Sequence, residues 1–310
     1  MPLDPQVAAI VAAMGEGWPP ADSVPIDRMR TMMKESAAMM GTLDVPVTMR
    51  VMAFPGPAGN VPVQLYAPPG PGPFPMIVFF HGGGFVLGSP ETHDRMARAL
   101  VHAAQAVLIS VDYRLAPEHP FPAAVEDAIA AVRWVAASAA TLNGNPDQLA
   151  VAGDSAGAIL ATVASIAARD AQAPAIAAQL LFYGTGGPPA EMTQSACDYA
   201  NGPFITTRDV DFYWNNYLPG GVARHDWRAA PIVADLTGLP PTYSVTAECD
   251  PTRDDGEAYA QALAAAGVET AATRFEGMPH GFVSWIGILP QAQEAIDAGA
   301  TFLSKHWSMT

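Results

Sequence analysis

Five short apolar runs punctuate the chain: Met76 to Phe80, Ala106 to Val111, Leu149 to Ala152, Ala178 to Tyr183 and Thr242 to Ala247. A run that is apolar at both alternating positions predicts a strand buried on both faces, and such strands belong to parallel sheets joined by crossover helices. Stretches with helical spacing of apolar residues supply those crossovers at Glu91 to Ala104, Pro122 to Ala140, Ser155 to Ala168 and Asp254 to Ala266, and a last helix is expected from about Pro290 to His306. The helix from Ser155 is apolar nearly all round, so it is expected at the centre of the molecule. Thr270 to Phe275 reads as a further strand, and Thr48 to Phe54 with Val61 to Ala67 as an antiparallel pair around a Pro/Gly turn at one edge of the sheet. The pattern as a whole is α/β: a mostly parallel eight-stranded sheet flanked by helices.

Two stretches break this rhythm. Residues 1–44 place Val7, Ile10, Val11 and Met14, then Met29, Met32, Met33, Met39 and Met40, at helical spacing on either side of a break from Gly15 to Pro20, which predicts two short helices. Residues 184–240 carry Gly186, Gly187, Pro188 and Pro189 and then an aromatic helix around Phe212, Tyr213, Trp214 and Tyr217. Together they are expected to form a helical cap over a catalytic body of residues 45–310, with the second stretch inserted into that body. Methionine-rich surfaces of this kind are packing surfaces first, although flexible thioethers also suit the wall of a pocket.

Composition narrows the function. With 310 residues, 50% hydrophobic and 15% charged, the chain can bury a large core. A formal net charge of −15 repels phosphate backbones and anionic lipid surfaces, which argues against nucleic-acid partners. No apolar stretch reaches the roughly 18 residues of a membrane span, and the first residues lack a basic leader, so a soluble cytoplasmic protein, monomer or homodimer, is expected. Cys197 and Cys249 have neither metal nor redox spacing and are expected to be buried free thiols. No cofactor or metal is implied, since neither an H-E-x-x-H motif nor a His/carboxylate cluster occurs.

The candidate chemistry begins at Gly153-Asp154-Ser155-Ala156-Gly157, a G-x-S-x-G turn between a strand and a helix. Such a turn presents the serine hydroxyl at the top of a sheet. A serine needs a base, an acid to orient that base, and donors for the oxyanion, and in this arrangement the chain order is Ser, acid, His. His280 lies in a glycine-rich loop after the last strand and is the expected base. His306, in the terminal helix, is expected at the solvated surface. Asp250 directly follows a strand and is favoured as the acid over Glu248 and over Asp254, which with Asp255 suits the first turn of the next helix. His81-Gly82-Gly83-Gly84-Phe85 follows the strand ending at Phe80, and its bare backbone is expected to offer the Gly83 and Gly84 N–H groups, with that of Ala156, to an oxyanion. His81 is expected to shape the loop, and Arg114 and Glu118 to form a structural pair. Phe85, Trp214, Tyr217 and Phe282 are the expected pocket walls.

At this point the chain resembles the bacterial hormone-sensitive-lipase-like (family IV) carboxylesterases of the α/β-hydrolase fold. The resemblance rests on His81 to Phe85, Asp112 to His119, Gly153 to Gly157, Asp250 to Gly256 and His280-Gly281-Phe282, and spans residue 47 to the carboxyl end. It implies a triad of Ser155, Asp250 and His280, a cap built from the amino-terminal helices and an insertion after the sixth strand, and a small-molecule ester as substrate. Thr252 departs from the leucine usual in the family. Two other readings share the fold: an arylformamidase-like amide or formamide hydrolase with the same triad, and a ligand-binding receptor without turnover, as the gibberellin receptor is. His280 argues against the receptor, which lacks the catalytic histidine. Acyl chains of about four to eight carbons are expected to be preferred, since each buried methylene contributes about 0.8 kcal/mol only until the chain meets a wall.

Overall fold

A computed structural model describes residues 3–13, 19–189, 191–221 and 223–308. Met14 and the Gly15 to Trp18 part of the expected break lie outside the described residues. Eight strands form one sheet: β1 (Thr48–Gly56), β2 (Gly59–Ala67), β3 (Phe74–Phe80), β4 (Val107–Val111), β5 (Gly144–Asp154), β6 (Ala178–Phe182), β7 (Thr242–Cys249) and β8 (Thr270–Pro279), in the spatial order β1-β2-β4-β3-β5-β6-β7-β8. β1 and β2 are antiparallel to each other, and β2 is antiparallel to β4. The other six strands run parallel, with Val78 beside both Ile109 and Val151.

Alternation along the strands sorts side chains between two apolar layers. Met76, Val78 and Phe80 of β3 point to one face of the sheet and Ile77 and Phe79 to the other, and all five are fully buried. The first layer packs against α4 (Ala123–Ala137), α5 (Ala156–Asp170) and α8 (Arg253–Ala265), the second against α3 (Asp94–Ala104) and α9 (Pro290–Trp307). Each large side chain sealed this way contributes about 1.5–3 kcal/mol, so the two-sided cover accounts for the continuous apolar runs. α5 buries nearly its whole circumference, as its composition requires.

α1 (Pro5–Ala13) and α2 (Ile26–Met40) precede the sheet, and α6 (Gln194–Asp198) and α7 (Thr207–Tyr217) lie between β6 and β7. α2 is tied to the body by Arg30, whose guanidinium donates to the carbonyls of Val86 (2.9 Å) and Ala116 (2.9 Å) and to the Glu118 carboxylate (2.8 Å). The Ala21 N–H donates to Asp209 of α7 at 2.7 Å, joining the two stretches that broke the strand rhythm.

Three sequence expectations are corrected. Arg114 does not pair with Glu118; it grips Asp127 on α4 with two donors at 2.9 Å, while Glu118 takes Arg30. His306 is buried, its ring 4.4 Å from that of Phe302, because it shares the inward face of α9 with Leu303 and Trp307. Cys249 is buried as expected, but Cys197 is exposed at the end of the short α6.

Candidate active site

The parallel strands all end on one side of the sheet, and the chemistry gathers there. β5 runs into Ser155, held at φ 51°, ψ −120°, before α5 begins. That backbone is sterically unfavourable for a residue with a side chain, and it is tolerated because the Ser155 N–H donates to the Phe182 carbonyl at 2.8 Å and the neighbours leave room. A Cβ on Gly157 would run into the Phe80 carbonyl, so only glycine lets α5 approach β3 this closely.

β8 delivers His280 and β7 delivers Asp250. His280 Nε2 stands 2.9 Å from Ser155 Oγ, and its Nδ1 2.6 Å from Asp250 Oδ2. Asp250 is 1% exposed. Burial disfavours the imidazolium of His280, but the charge and hydrogen bond of Asp250, with a smaller contribution from Asp154, outweigh it, and the net shift is upward from the ordinary histidine value. The Tyr183 ring lies against the imidazole at 4.8 Å between centroids. The rival carboxylates are engaged elsewhere: Glu248 accepts the Gly277 N–H at 2.7 Å and Asp254 the Ser195 N–H at 2.8 Å.

The glycine loop after β3 curls on itself, with the Leu87 N–H donating to the Gly83 carbonyl at 2.8 Å. Gly83 (φ 117°), Gly84 and Ala156 line the same cavity as Ser155 and His280. The Gly83 and Gly84 N–H groups donate to no acceptor among the described residues. His81 is fully buried and bonds the Gly82 carbonyl through Nδ1 at 2.8 Å. Burial, with the charge of neighbouring His93, pushes its pKa down to about 3, so it is neutral and shapes the loop.

A second His–carboxylate pair beneath this loop was not found from sequence. Asp154 Oδ1 accepts the Gly82 N–H at 2.7 Å and lies 3.3 Å from His93 Nε2. Burial of both groups opposes their charged forms, but mutual attraction and the Gly82 hydrogen bond prevail: His93 is shifted up and Asp154 down, each favouring its charged form, and the pair ties the loop to the start of α3. Asp154 sits inside G-x-S-x-G, yet its partner stands just before α3, and nothing in the local pattern joins them.

The cavity over Ser155 measures about 540 Å³ and is mainly apolar. Phe85 and Trp214 line it, together with Met33 and Met40 of α2 and with Ile205 and Tyr213. Tyr217 and Phe282 do not. Tyr217 lies behind the wall, stacked on Phe85 at 3.8 Å, and Phe282 is fully buried against Phe275 at 5.1 Å. On α7, Tyr213 reaches the cavity, whereas Tyr217, one turn further along the same face at the end of the helix, packs behind it against Phe85 and Phe121. No helix among the described residues is long and apolar enough to cross a membrane.

Residues 77–284 match a family model described as the alpha/beta hydrolase fold. The chain is 38% identical over 309 residues to the carboxylesterase NlhH of Mycobacterium tuberculosis, covering 98% of this chain and 96% of that protein. It is 40% identical over 261 residues to the esterase LipI of the same organism, covering 81% and 80%. Among solved structures, a hyperthermophilic esterase from the archaeon Pyrobaculum calidifontis superposes with a TM-score of 0.93 at 36% identity, over 98% of this chain and 99% of that one. A thermostable esterase from Pseudomonas putida gives a TM-score of 0.93 at 33% identity, over 99% and 98%. With its fold, its serine turn and relatives matched along nearly their whole length, the chain belongs to the hormone-sensitive-lipase-like carboxylesterases of the α/β-hydrolase fold.

Proposed function

We propose that this carboxylesterase hydrolyses neutral esters of short to medium acyl chains through a Ser155–His280–Asp250 triad and a covalent acyl-enzyme. The observation that carries the reading is the unbroken hydrogen-bond chain from Ser155 Oγ through His280 to Asp250, at 2.9 and 2.6 Å. His280 Nε2 takes the Ser155 proton as Oγ bonds to the ester carbonyl carbon, and Asp250 steadies the resulting imidazolium. The carbonyl oxygen becomes an oxyanion facing the N–H groups of Gly83, Gly84 and Ala156, the last at the positive end of α5. The imidazolium then gives its proton to the departing alkoxide, and the alcohol leaves. Water, deprotonated by the same nitrogen, attacks the acyl carbon, the acid departs and Ser155 regains its proton.

Residues 1–44 and 184–240 are proposed as a cap over this centre, with the catalytic domain spanning 45–310. Support comes from Met33, Met40, Ile205, Tyr213 and Trp214, which reach the cavity from those two stretches. Phe85 and Trp214 would contact the substrate, whereas Tyr217 and Phe282 would act as backing for the wall.

Matched aryl esters and aryl formamides test the reading. Ester turnover abolished by Ser155→Ala, with formamide turnover orders of magnitude lower, is expected. Preferential cleavage of the formamide would move the protein to the amidase class, and tight binding of an ester without turnover would make it a receptor.

A further inference from the structure

Thr252 has a hydroxyl in a place where its local role is already defined, and it does something else. It is the N-cap residue of α8, where a threonine side chain ordinarily accepts a hydrogen bond from a free N–H of the first turn. No such bond is made. Instead Oγ1 donates to Asp250 Oδ1 at 2.8 Å, and the Thr252 N–H donates to the same oxygen, also at 2.8 Å. Oδ1 is thus held by two donors from one residue, and Oδ2 is left to His280.

We infer that the Thr252 hydroxyl is a positioning group for the catalytic acid: it fixes the rotation of the Asp250 carboxylate and tempers the proton affinity of His280. The inference rests on the triad reading above. With the backbone N–H alone, Oδ1 has a single donor opposite the His280 contact at Oδ2, whereas a second donor on Oδ1 narrows the rotation of the carboxylate and aims Oδ2 at Nδ1. Each donated hydrogen bond also stabilises the anion and weakens its pull on the imidazole proton. That counterweight has a use here. Asp250 and Asp154 both press for the imidazolium, while a general base must be neutral near the working pH. The other ionisable groups around the pair are Tyr183, whose burial keeps it protonated, and Asp255 at the start of α8, which burial and the charges of Asp254 and Asp250 raise to about 6. Neither donates a hydrogen bond to Asp250, so the charge on that carboxylate is moderated by Thr252.

Thr252→Val removes the hydroxyl, keeps the branched shape and keeps the N–H. The acid limb of the kcat/KM profile on p-nitrophenyl butyrate is expected to move up by about half a pH unit, with the plateau about three- to tenfold lower and KM little changed. Thr252→Ser should restore both. If Thr252→Val does not fold, Thr252→Ala read against Thr252→Ser makes the same comparison. Thr252 also lines the cavity, so a raised KM with an unmoved acid limb would overturn the inference in favour of a substrate contact. So would an unaltered profile. Failure of the triad reading would look different: His280→Ala would then retain turnover in the wild-type Thr252 background.

Discussion

Replacing Asp250 by asparagine turns the hydrogen-bond pattern into a prediction about a proton. The buried carboxylate receives three donors, the N–H and Oγ1–H of Thr252 at Oδ1 and the Nδ1–H of His280 at Oδ2. Asparagine keeps one acceptor oxygen and presents an NH₂ in place of the other. Two Thr252 donors claim the oxygen, so the NH₂ turns toward His280. Nδ1 must then accept, the ring proton moves to Nε2, and that nitrogen donates to Ser155 instead of taking its proton. The opposite flip would set the amide N–H groups against both Thr252 donors, and each unmade pairing of a buried group costs about 1–3 kcal/mol. The wrong tautomer is therefore the stable one. The same change in a serine-protease triad lowers kcat about ten-thousandfold. A loss of that size here is about 5.5 kcal/mol of barrier at 1.36 kcal/mol per tenfold. Steady-state kinetics on p-nitrophenyl butyrate would read the loss, with circular dichroism as the check on folding. Turnover within tenfold of wild type would refute the reasoning, and so would a comparable loss in Asp254→Asn, whose carboxylate serves Ser195 and Arg253.

Three further outcomes follow from the same geometry. Because His280 is shifted upward and must be neutral to act as base, the acid limb of kcat/KM should lie above pH 6.5, with activity lost as pH falls through it; a limb below 6.5, or a flat profile, would contradict the His280–Asp250 coupling. Asp154→Ala leaves the buried His93 without its counterion and the Gly82 N–H without its acceptor, so urea unfolding should show a loss of about 3–5 kcal/mol, and a loss below about 1 kcal/mol would mean the pair is not charged. In a series of p-nitrophenyl esters, kcat/KM should peak at acyl chains of about four to eight carbons and fall at palmitate, and triolein emulsion cleaved as fast as soluble butyrate would move the protein to the lipases.

The sheet and the meeting of the three proposed triad side chains were legible because each depends on short-range signals. Apolar runs mark most of the strands, and Ser155, Asp250 and His280 each stand directly after the last residue of β5, β7 and β8, where a parallel sheet must deliver them. What escaped depends on contacts between distant segments. Arg114 finds Asp127 only because α4 folds back along the loop, and Glu118 is reached by Arg30 from a helix 88 residues earlier. His93 and Asp154 meet under the glycine loop across 61 positions, with no shared pattern to announce it. The pocket walls were half legible: an aromatic residue on α7 was a sound expectation, but Tyr213 and Tyr217 share one face of that helix, and which of them meets the cavity is set by how far along the helix the cavity extends before Phe85 and Phe121 cover it. The exposed Cys197 and buried His306 reverse their usual places for the same reason, since a helix face is defined by what packs on it.

The central claim is that Ser155 becomes covalently acylated with His280 as its base. Treatment with an alkyl p-nitrophenyl phosphonate, followed by peptide mass spectrometry, tests it most directly. Stoichiometric release of p-nitrophenol, complete loss of esterase activity and a single adduct on Ser155 are predicted, with labelling strongly slowed in His280→Ala. Inactivation with the adduct on any other residue, or full activity retained after Ser155 is labelled, would contradict the account.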